Sequence, residues 1–294
     1  MTDISFELYK VFYHVAKKLS FSEASQKLYI SQSAVSQSVR LLENKLNCTL
    51  FNRTTKQVRL TAEGEVLFRH IEQAYNFIKG GERSIEEIHG LKQGEIRIGA
   101  SDTICKYYLL PFLQKFNRQY PAIKINITNR TSPICIELLR KGSIDAAVVN
   151  LPPRYEGQLQ VTQLKSLQDV FIAGPAFSHL RDRILSLQEL AAYPLLMLET
   201  NTITREFFDH FLAERGVSLR PEIELGSIDL LIELTKIGLG ISFISREYIA
   251  RDLAVGSICE LRIKEEIPPR FLGIMINQAI PLPAAAQKFI DMLE

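Results

Sequence analysis

The chain has 294 residues, 46% of them hydrophobic and 23% charged, with a formal net charge of +2. That length exceeds one ordinary core and predicts two or three domains of a globular protein. No apolar run approaches the roughly 20 residues that span a bilayer, and Cys48, Cys105, Cys135 and Cys259 include no CxxC pair, which argues against a zinc site or a disulfide framework. Residues 1–5 lack the basic and apolar regions of a secretory signal, so the expected compartment is the cytoplasm. The charge is unevenly spread. Residues 1–60 hold nine Lys/Arg against four Asp/Glu, a net +5, and the remainder holds 26 against 29. A basic head on a mildly acidic body points to a polyanion as the partner of the head.

Leu8, Val11, Phe12 and Val15 recur at helical spacing and predict a first helix over 6–18. Leu19, Ser20 and Phe21 break it. Ser22 is placed to cap a second helix over 23–28, with Glu23 suiting its positive N-terminus. Tyr29 and Ile30 make a short turn, and Ser31 caps a third helix that runs to Leu46. Val35, Val39, Leu42 and Leu46 form one apolar stripe on it. Gln32, Ser33, Ser36, Gln37 and Arg40 fall on the other side, a polar face whose donors and acceptors match base edges and phosphates. Alone, this would be an ordinary amphipathic surface helix. Two short helices joined by a tight turn, the second with a polar outer face, are instead a helix-turn-helix pattern. Residues 48–53 and 57–60 are β-prone around the polar tip 54–56 and predict a hairpin wing. Arg53 and Lys56 sit where a wing reaches a minor groove or phosphates. Thr61 caps the next helix.

The run Phe21-Ser-Glu-Ala-Ser-Gln-Lys-Leu-Tyr-Ile-Ser-Gln-Ser-Ala-Val-Ser-Gln-Ser-Val-Arg-Leu-Leu-Glu-Asn-Lys-Leu46, followed by Leu50-Phe-Asn-Arg-Thr54 and Leu60-Thr-Ala-Glu-Gly64, resembles the winged helix-turn-helix of LysR-type transcriptional regulators. Four positions depart from the family pattern: Ser33 stands for proline, Asn47 for glycine, Ser25 for a second alanine and Gln37 for a frequent arginine. The resemblance implies a double-stranded DNA operator. Gln32, Ser33, Ser36 and Gln37 would read its major groove, Ser22, Ser31 and Arg40 would hold phosphates, and Arg53 would enter the adjacent minor groove. Paired heads would meet two half-sites spaced by whole turns of about 34–36 Å.

Over 62–92, Leu67, Ile71, Ala74, Ile78, Gly81, Ile85 and Ile88 alternate spacings of four and three, a seam that needs a partner helix. In LysR relatives the equivalent helix pairs two subunits, so a homodimer or a tetramer is expected. Gly80-Gly81 marks either a bend or a close approach of helices, and residues 89–94 end the helix as a hinge. From Glu95 strands and helices alternate: strand 96–100, helix 103–120, strand 122–128, helix 133–141, strand 145–150. This order implies a parallel sheet with helices on both faces. A second set follows at 170–173, 195–198, 222–225 and 241–244, with helices from Ser186, Thr204 and Asp229. Residues 258–263, 271–276 and 282–293 are expected to return the chain to the first subdomain. The fold class is α/β. The expected division is 1–61 for the winged head, 62–92 for the linker helix and 93–294 for an effector domain similar to a type 2 periplasmic binding protein, with lobe I at 93–163 and 268–294 and lobe II at 164–267.

In doubly wound sheets, ligands bind beyond the carboxyl ends of strands, at helix N-termini that favour a small anion. By the resemblance, Ser101, Thr103, Thr131, Thr202 and Ser227 are the candidates for effector contact, and Arg130 supplies charge. Plain helix capping is the alternative for each of them; the convergence of four loops carries the joint expectation. Cys105 and Cys135, just inside two helices, admit a redox-responsive regulator, or else are two buried apolar cysteines. His14, His70, His89, His179 and His210 are scattered, and no catalytic, metal-binding or phosphate-loop constellation is visible, so no enzyme, cofactor or metal is expected. RNA polymerase is admitted as a further partner without a visible contact motif; a membrane is not. A solute-binding protein is the rival from another class, since it would share the two-lobed body but not the head.

Overall fold

In the computed structural model, which describes residues 4–53, 57–88, 94–152 and 159–293, the chain divides into residues 1–82 and residues 83–294. The first unit begins with α1 (Phe6–Lys18), α2 (Phe21–Leu28) and α3 (Gln32–Leu46). Their apolar stripes, among them Leu8, Val11, Phe12, Val15, Val35 and Val39, close one core. Phe51 joins it from the wing, its ring 5.4 Å from that of Phe12. The wing is β1 (Phe51–Arg53) against β2 (Val58–Leu60), antiparallel, with Phe51 opposite Leu60. The tip 54–56, including Lys56, and the side chain of Arg53 lie outside the described residues. Ser22 does not cap α2. Ser20 does, in extended conformation, with its hydroxyl accepting from Glu23 N–H. Buried Phe21 pulls the helix start back by two residues, leaving Ser22 exposed in its first turn.

α4 (Ala62–Ile88) starts at Thr61, whose hydroxyl accepts from Gly64 N–H at 2.9 Å. Gly64 is required there, because a Cβ would lie 2.2 Å from the Leu50 carbonyl oxygen. The expected seam is divided. Leu67 and Ile71 pack on the core of the head, whereas Ala74, Ile78 and Ile85 are exposed. The side chain of Ile88 and residues 89–93 of the expected hinge 89–94 lie outside the described residues, and Gly94 already begins a strand.

The second unit runs β3 (Gly94–Ala100), α5 (Asp102–Ile104), a π-helical turn over Cys105–Leu109, α6 (Leu110–Gln119), β4 (Ile123–Asn129), α7 (Ser132–Arg140), β5 (Ala146–Asn150) and β6 (Leu159–Leu167). It continues with β7 (Asp169–Ala173), β8 (Ile184–Leu185), α8 (Leu187–Leu190), β9 (Leu195–Leu198), α9 (Ile203–Ala213), β10 (Ile223–Leu225), α10 (Ile228–Lys236) and β11 (Ile241–Ser245). α11 (Ala250–Val255), β12 (Cys259–Ile263), β13 (Arg270–Asn277) and α12 (Ala284–Leu293) complete it. One sheet has the order β4-β3-β5-β13-β6 and the other β10-β9-β11-β7-β12-β8. Each sheet is mixed rather than purely parallel: β13 runs antiparallel to β5 and β6, and β7 antiparallel to β11 and β12. Residues 258–263 fall within the expected lobe II bounds of 164–267, yet the order of the last segments also reads them as part of the return to the first subdomain. Instead β12 stays in the second sheet, its Cys259, Glu260 and Leu261 opposite Ala173, Ile172 and Phe171. The return is made by β13 and α12, the latter packed on β3 and α6. One apolar cluster runs through both lobes, from Ile96 and Ile98 to Leu196 and Ile244.

The helix expected at 103–120 is widened in its middle. Leu110 N–H reaches the Cys105 carbonyl, five residues back. Pro111 has no N–H to donate, and in a regular helix its ring would clash with the carbonyl four residues before it; the wide turn immediately precedes it, where the regular ladder could not continue.

Candidate nucleic-acid interface and ligand cleft

On α3 the two faces separate as their residue types dictate. Val35, Val39 and Leu42 are fully buried, while Gln32, Ser33, Gln37 and Arg40 are exposed and Ser36 is half-buried. Ser31 caps the helix, its Oγ accepting from Ala34 N–H at 3.2 Å and lying 2.9 Å from the hydroxyl of Ser33. No acidic residue occupies the first turn, so the positive N-terminal end of the helix is left open to a phosphate. Two of the four departures from the family pattern, Ser33 and Asn47, have a local account. Ser33 is the second residue of α3, where a proline would lose nothing because that N–H has no partner within the helix. Asn47 ends α3 in the left-handed region, φ 51°; glycine is the usual residue there, and asparagine tolerates it. Arg59 was not singled out in the sequence. It is exposed on β2 and its guanidinium donates twice to Gln57 Oε1, at 3.1 and 2.7 Å. The alternation Gln57-Val58-Arg59-Leu60 is the signal that would have found it.

In the second unit, Ser101, Thr103, Arg130, Thr131 and Thr202 line one cavity of about 340 Å³ between the two sheets. Ser227 does not line it; its neighbours Gly226 and Ile228 do, and its hydroxyl caps α10 by accepting from Leu230 N–H. The hydroxyls divide into two kinds. Ser101 Oγ accepts from Ile104 N–H. Thr202 Oγ1 accepts from Arg205 N–H and donates to the Glu199 carbonyl, so it is fully used in capping. Thr131 stands at the N-cap position of α7 without making a side-chain cap. Its hydroxyl and that of Thr103 have no partner among the described residues and remain available to a ligand. Arg130 holds one guanidinium nitrogen 2.6 Å from the Asn129 carbonyl and is, with Asp102, one of the two charged lining residues. α7, α9 and α10, each of nine residues or more, all begin at this cavity and turn their positive ends to it.

Asn150, Tyr248 and Leu198 also line the cavity and were not foreseen. Asn150 ends β5, donates its N–H to Ser132 Oγ, and keeps its side-chain oxygen buried without a partner among the described residues. Tyr248 is brought in by the turn after β11; burial, its largest influence, pushes its hydroxyl far above the ordinary tyrosine range. No local motif marks these positions.

The cysteines are free thiols. Burial is the main influence on both Cys105 and Cys135 and pushes each up to about 11. Cys135 also donates to the Arg130 carbonyl at 3.4 Å. At either position burial disfavours the thiolate, the form through which a reactive cysteine acts. Among the described residues no cluster of His, Cys, Asp and Glu could hold a metal ion, and no helix is long and apolar enough to cross a membrane.

Residues 6–65 match the family description "Bacterial regulatory helix-turn-helix protein, lysR family", and residues 89–294 match "LysR substrate binding domain". A probable RuBisCO transcriptional regulator from Emiliania huxleyi is 28% identical over 284 residues, covering 94% of this chain and 90% of its own. A full-length variant of OxyR from Pseudomonas aeruginosa has the same fold at 20% identity, TM-score 0.74, over 100% of this chain and 95% of its own. Full-length CbnR, solved in complex with its target DNA, aligns at 18% identity with TM-score 0.65, over 99% of each chain.

Proposed function

This chain belongs to the LysR family of helix-turn-helix transcriptional regulators, and we propose that its binding to an operator is modulated by a small organic anion held in the cavity between the two sheets of residues 83–294. It is a DNA-binding regulator with an effector-binding domain, not an enzyme. The observation that carries the proposal is the convergence of three helix N-termini, two free hydroxyls and Arg130 on one cavity of about 340 Å³, within the range of small-molecule sites. Thr103, Thr131 and Arg130 are its direct contacts. Ser101 and Thr202 hold the loops that frame it, and Ser227 acts only through α10.

In the head, Gln32, Ser33, Ser36 and Gln37 read base edges in the major groove. Ser22, Ser31 and Arg40 hold phosphates, and Arg53 and Lys56 in the wing add minor-groove and backbone contacts. The exposed apolar part of α4 joins two copies, so that two heads meet two half-sites. The protein acts where its operator is, in the cytoplasm.

A thermal-shift screen of small mono- and dicarboxylates tests the cleft. A ligand at a hundred times its Kd stabilises the folded state by about 2.7 kcal/mol. The expected result is a hit that raises the melting temperature of the wild type and not of Thr131→Ala or Thr103→Ala. A hit that stabilises both variants as much as the wild type places the ligand elsewhere.

A further inference from the structure

Lys106 and Tyr107 belong to the lobe of β3 and β4, and Asp229 belongs to the lobe of β9 and β11. The π-helical turn carries the first two just beyond Thr103 at the cleft. Asp229 directly follows Ile228, a lining residue, in the first turn of α10. Lys106 Nζ lies 2.7 Å from Asp229 Oδ1, and Tyr107 OH donates to the same oxygen at 2.6 Å. The ring of Tyr107 also packs on that of Tyr248, 5.0 Å between centroids, and Tyr248 lines the cleft from the second lobe. An ion pair, a hydrogen bond and an aromatic contact therefore cross from lobe to lobe beside the cavity.

We infer that Lys106, Tyr107 and Asp229 form a clasp between the lobes that sets the width of the effector cleft and so positions its two walls for a ligand. This rests on the cavity being the effector site. The side chains of Lys106 and Asp229 are 52% and 47% exposed, so water screens their pairing, and it shifts an equilibrium by about fivefold at most. The Tyr107 hydroxyl, aimed at a charged acceptor, is the stronger tie. The Asp229 carboxyl is charged at neutral pH. Partial desolvation works against this, but the hydrogen bonds from Lys106 and Tyr107 outweigh it and hold the carboxyl below its ordinary range. A clasp of this modest strength suits a regulated joint. A ligand shifts a two-state element only by its differential affinity for the two states, and a contact worth severalfold is within the reach of a small anion. The wide turn just before Pro111 also sets the facing of Lys106 and Tyr107, since one extra residue in a helical turn changes where the preceding side chains point.

Hydrogen–deuterium exchange on the full-length chain tests the clasp without any ligand. The variants are Asp229→Asn, Tyr107→Phe and the reversed pair Lys106→Asp/Asp229→Lys. Asp229→Asn and Tyr107→Phe are each expected to speed exchange over 101–109 by about threefold or more, and the reversed pair to recover part of that protection. The far side of the cleft is the deciding segment. Asp229 also supplies negative charge to the start of α10, and a loss of that local effect alone would change only residues 226–236. Wild-type exchange over 101–109 in Asp229→Asn and Tyr107→Phe overturns the clasp. So does a reversed pair that exchanges as fast as Asp229→Asn. The clasp and the cleft fail separately. Wild-type exchange in both single variants, with thermal shifts that depend on Thr131, removes the clasp alone. Faster exchange, with thermal shifts insensitive to Thr131→Ala, removes the cleft reading that the clasp was inferred to serve.

Discussion

Asp169 and Arg270 form a buried two-pronged ion pair where the chain passes between the two sheets. Asp169 opens β7 and Arg270 opens β13; Arg270 Nη2 donates to Asp169 Oδ1 at 2.8 Å, and Nε donates to Oδ2. Ser245, the last residue of β11, donates to Asp169 Oδ1 at 2.7 Å, and the guanidinium lies over the ring of Phe207. Both charges are removed from water, so each is tolerable only because the other is present.

Removing one partner should therefore cost more than removing both. Asp169→Asn is expected to destabilise the chain by about 3 kcal/mol, and Asp169→Leu/Arg270→Met by clearly less, because the double change leaves no unpaired buried charge. Urea unfolding monitored on residues 83–294 reads this difference. A single variant within about 0.5 kcal/mol of wild type, the usual range for surface changes, is incompatible with the pair as described.

Gln32 is exposed at the first position of α3 beside its capped, acid-free N-terminus. Gln32→Ala should lose about 1–3 kcal/mol of discrimination between operator and altered operator. Arg40→Ala should weaken binding to both nearly equally and lower the salt slope by about 1. Gel shifts over a salt series separate the two patterns. Unchanged discrimination in Gln32→Ala means that this residue does not read bases.

The exposed run on α4 gives a test of assembly. Ile78 is 42% and Ile85 61% exposed, and an apolar side chain fully buried against a partner gains about 1.5–3 kcal/mol. Ile78→Asp/Ile85→Asp is expected to lower the mass of the wild-type assembly in light scattering. An unchanged mass assigns assembly to another surface.

His14 is expected to make the head sensitive to pH. It packs edge-on against Tyr75, and burial, followed by the charges of Lys27, Lys17, Lys10 and Lys79, lowers its pKa. The folded head takes up this proton at lower pH than the unfolded chain does. Its contribution is therefore fully present above the ordinary histidine value of about 6.5 and is lost as pH falls toward the lowered one. His14→Gln should flatten the decline in melting temperature between pH 7.5 and 5. Parallel declines in variant and wild type rule out His14 as the source.

The head was the most legible part of the sequence because its signals are local. The stripe Val35, Val39, Leu42 and the cap Ser31 lie within twelve residues, and the structure keeps each of them. Errors arose where a distant contact decides. Ser22 lost the cap to Ser20 because Phe21 is drawn into a core built with Phe51. The run 258–263 reads as a strand, but its sheet is chosen by pairing with Ile172 and Ala173, far back in the chain. Asp169 and Arg270 are 101 residues apart, and nothing near either announces the other. In the cleft, Ser and Thr at strand ends were visible as helix caps. Capping itself hid which hydroxyls remain free: Thr131 does, whereas Thr202 does not. Asn150 and Tyr248 reach the cavity only through the closing of two sheets.

Occupancy of the cleft should be felt at the DNA. A footprinting titration on any operator fragment that the full-length chain retards in a gel shift, with and without a carboxylate that stabilises it in the thermal-shift screen, tests this most directly. The predicted result is that the ligand changes the affinity or the length of the footprint for the wild type and leaves that of Thr131→Ala unchanged. A ligand that binds the wild type yet alters neither affinity nor footprint, or that acts equally on Thr131→Ala, would contradict it.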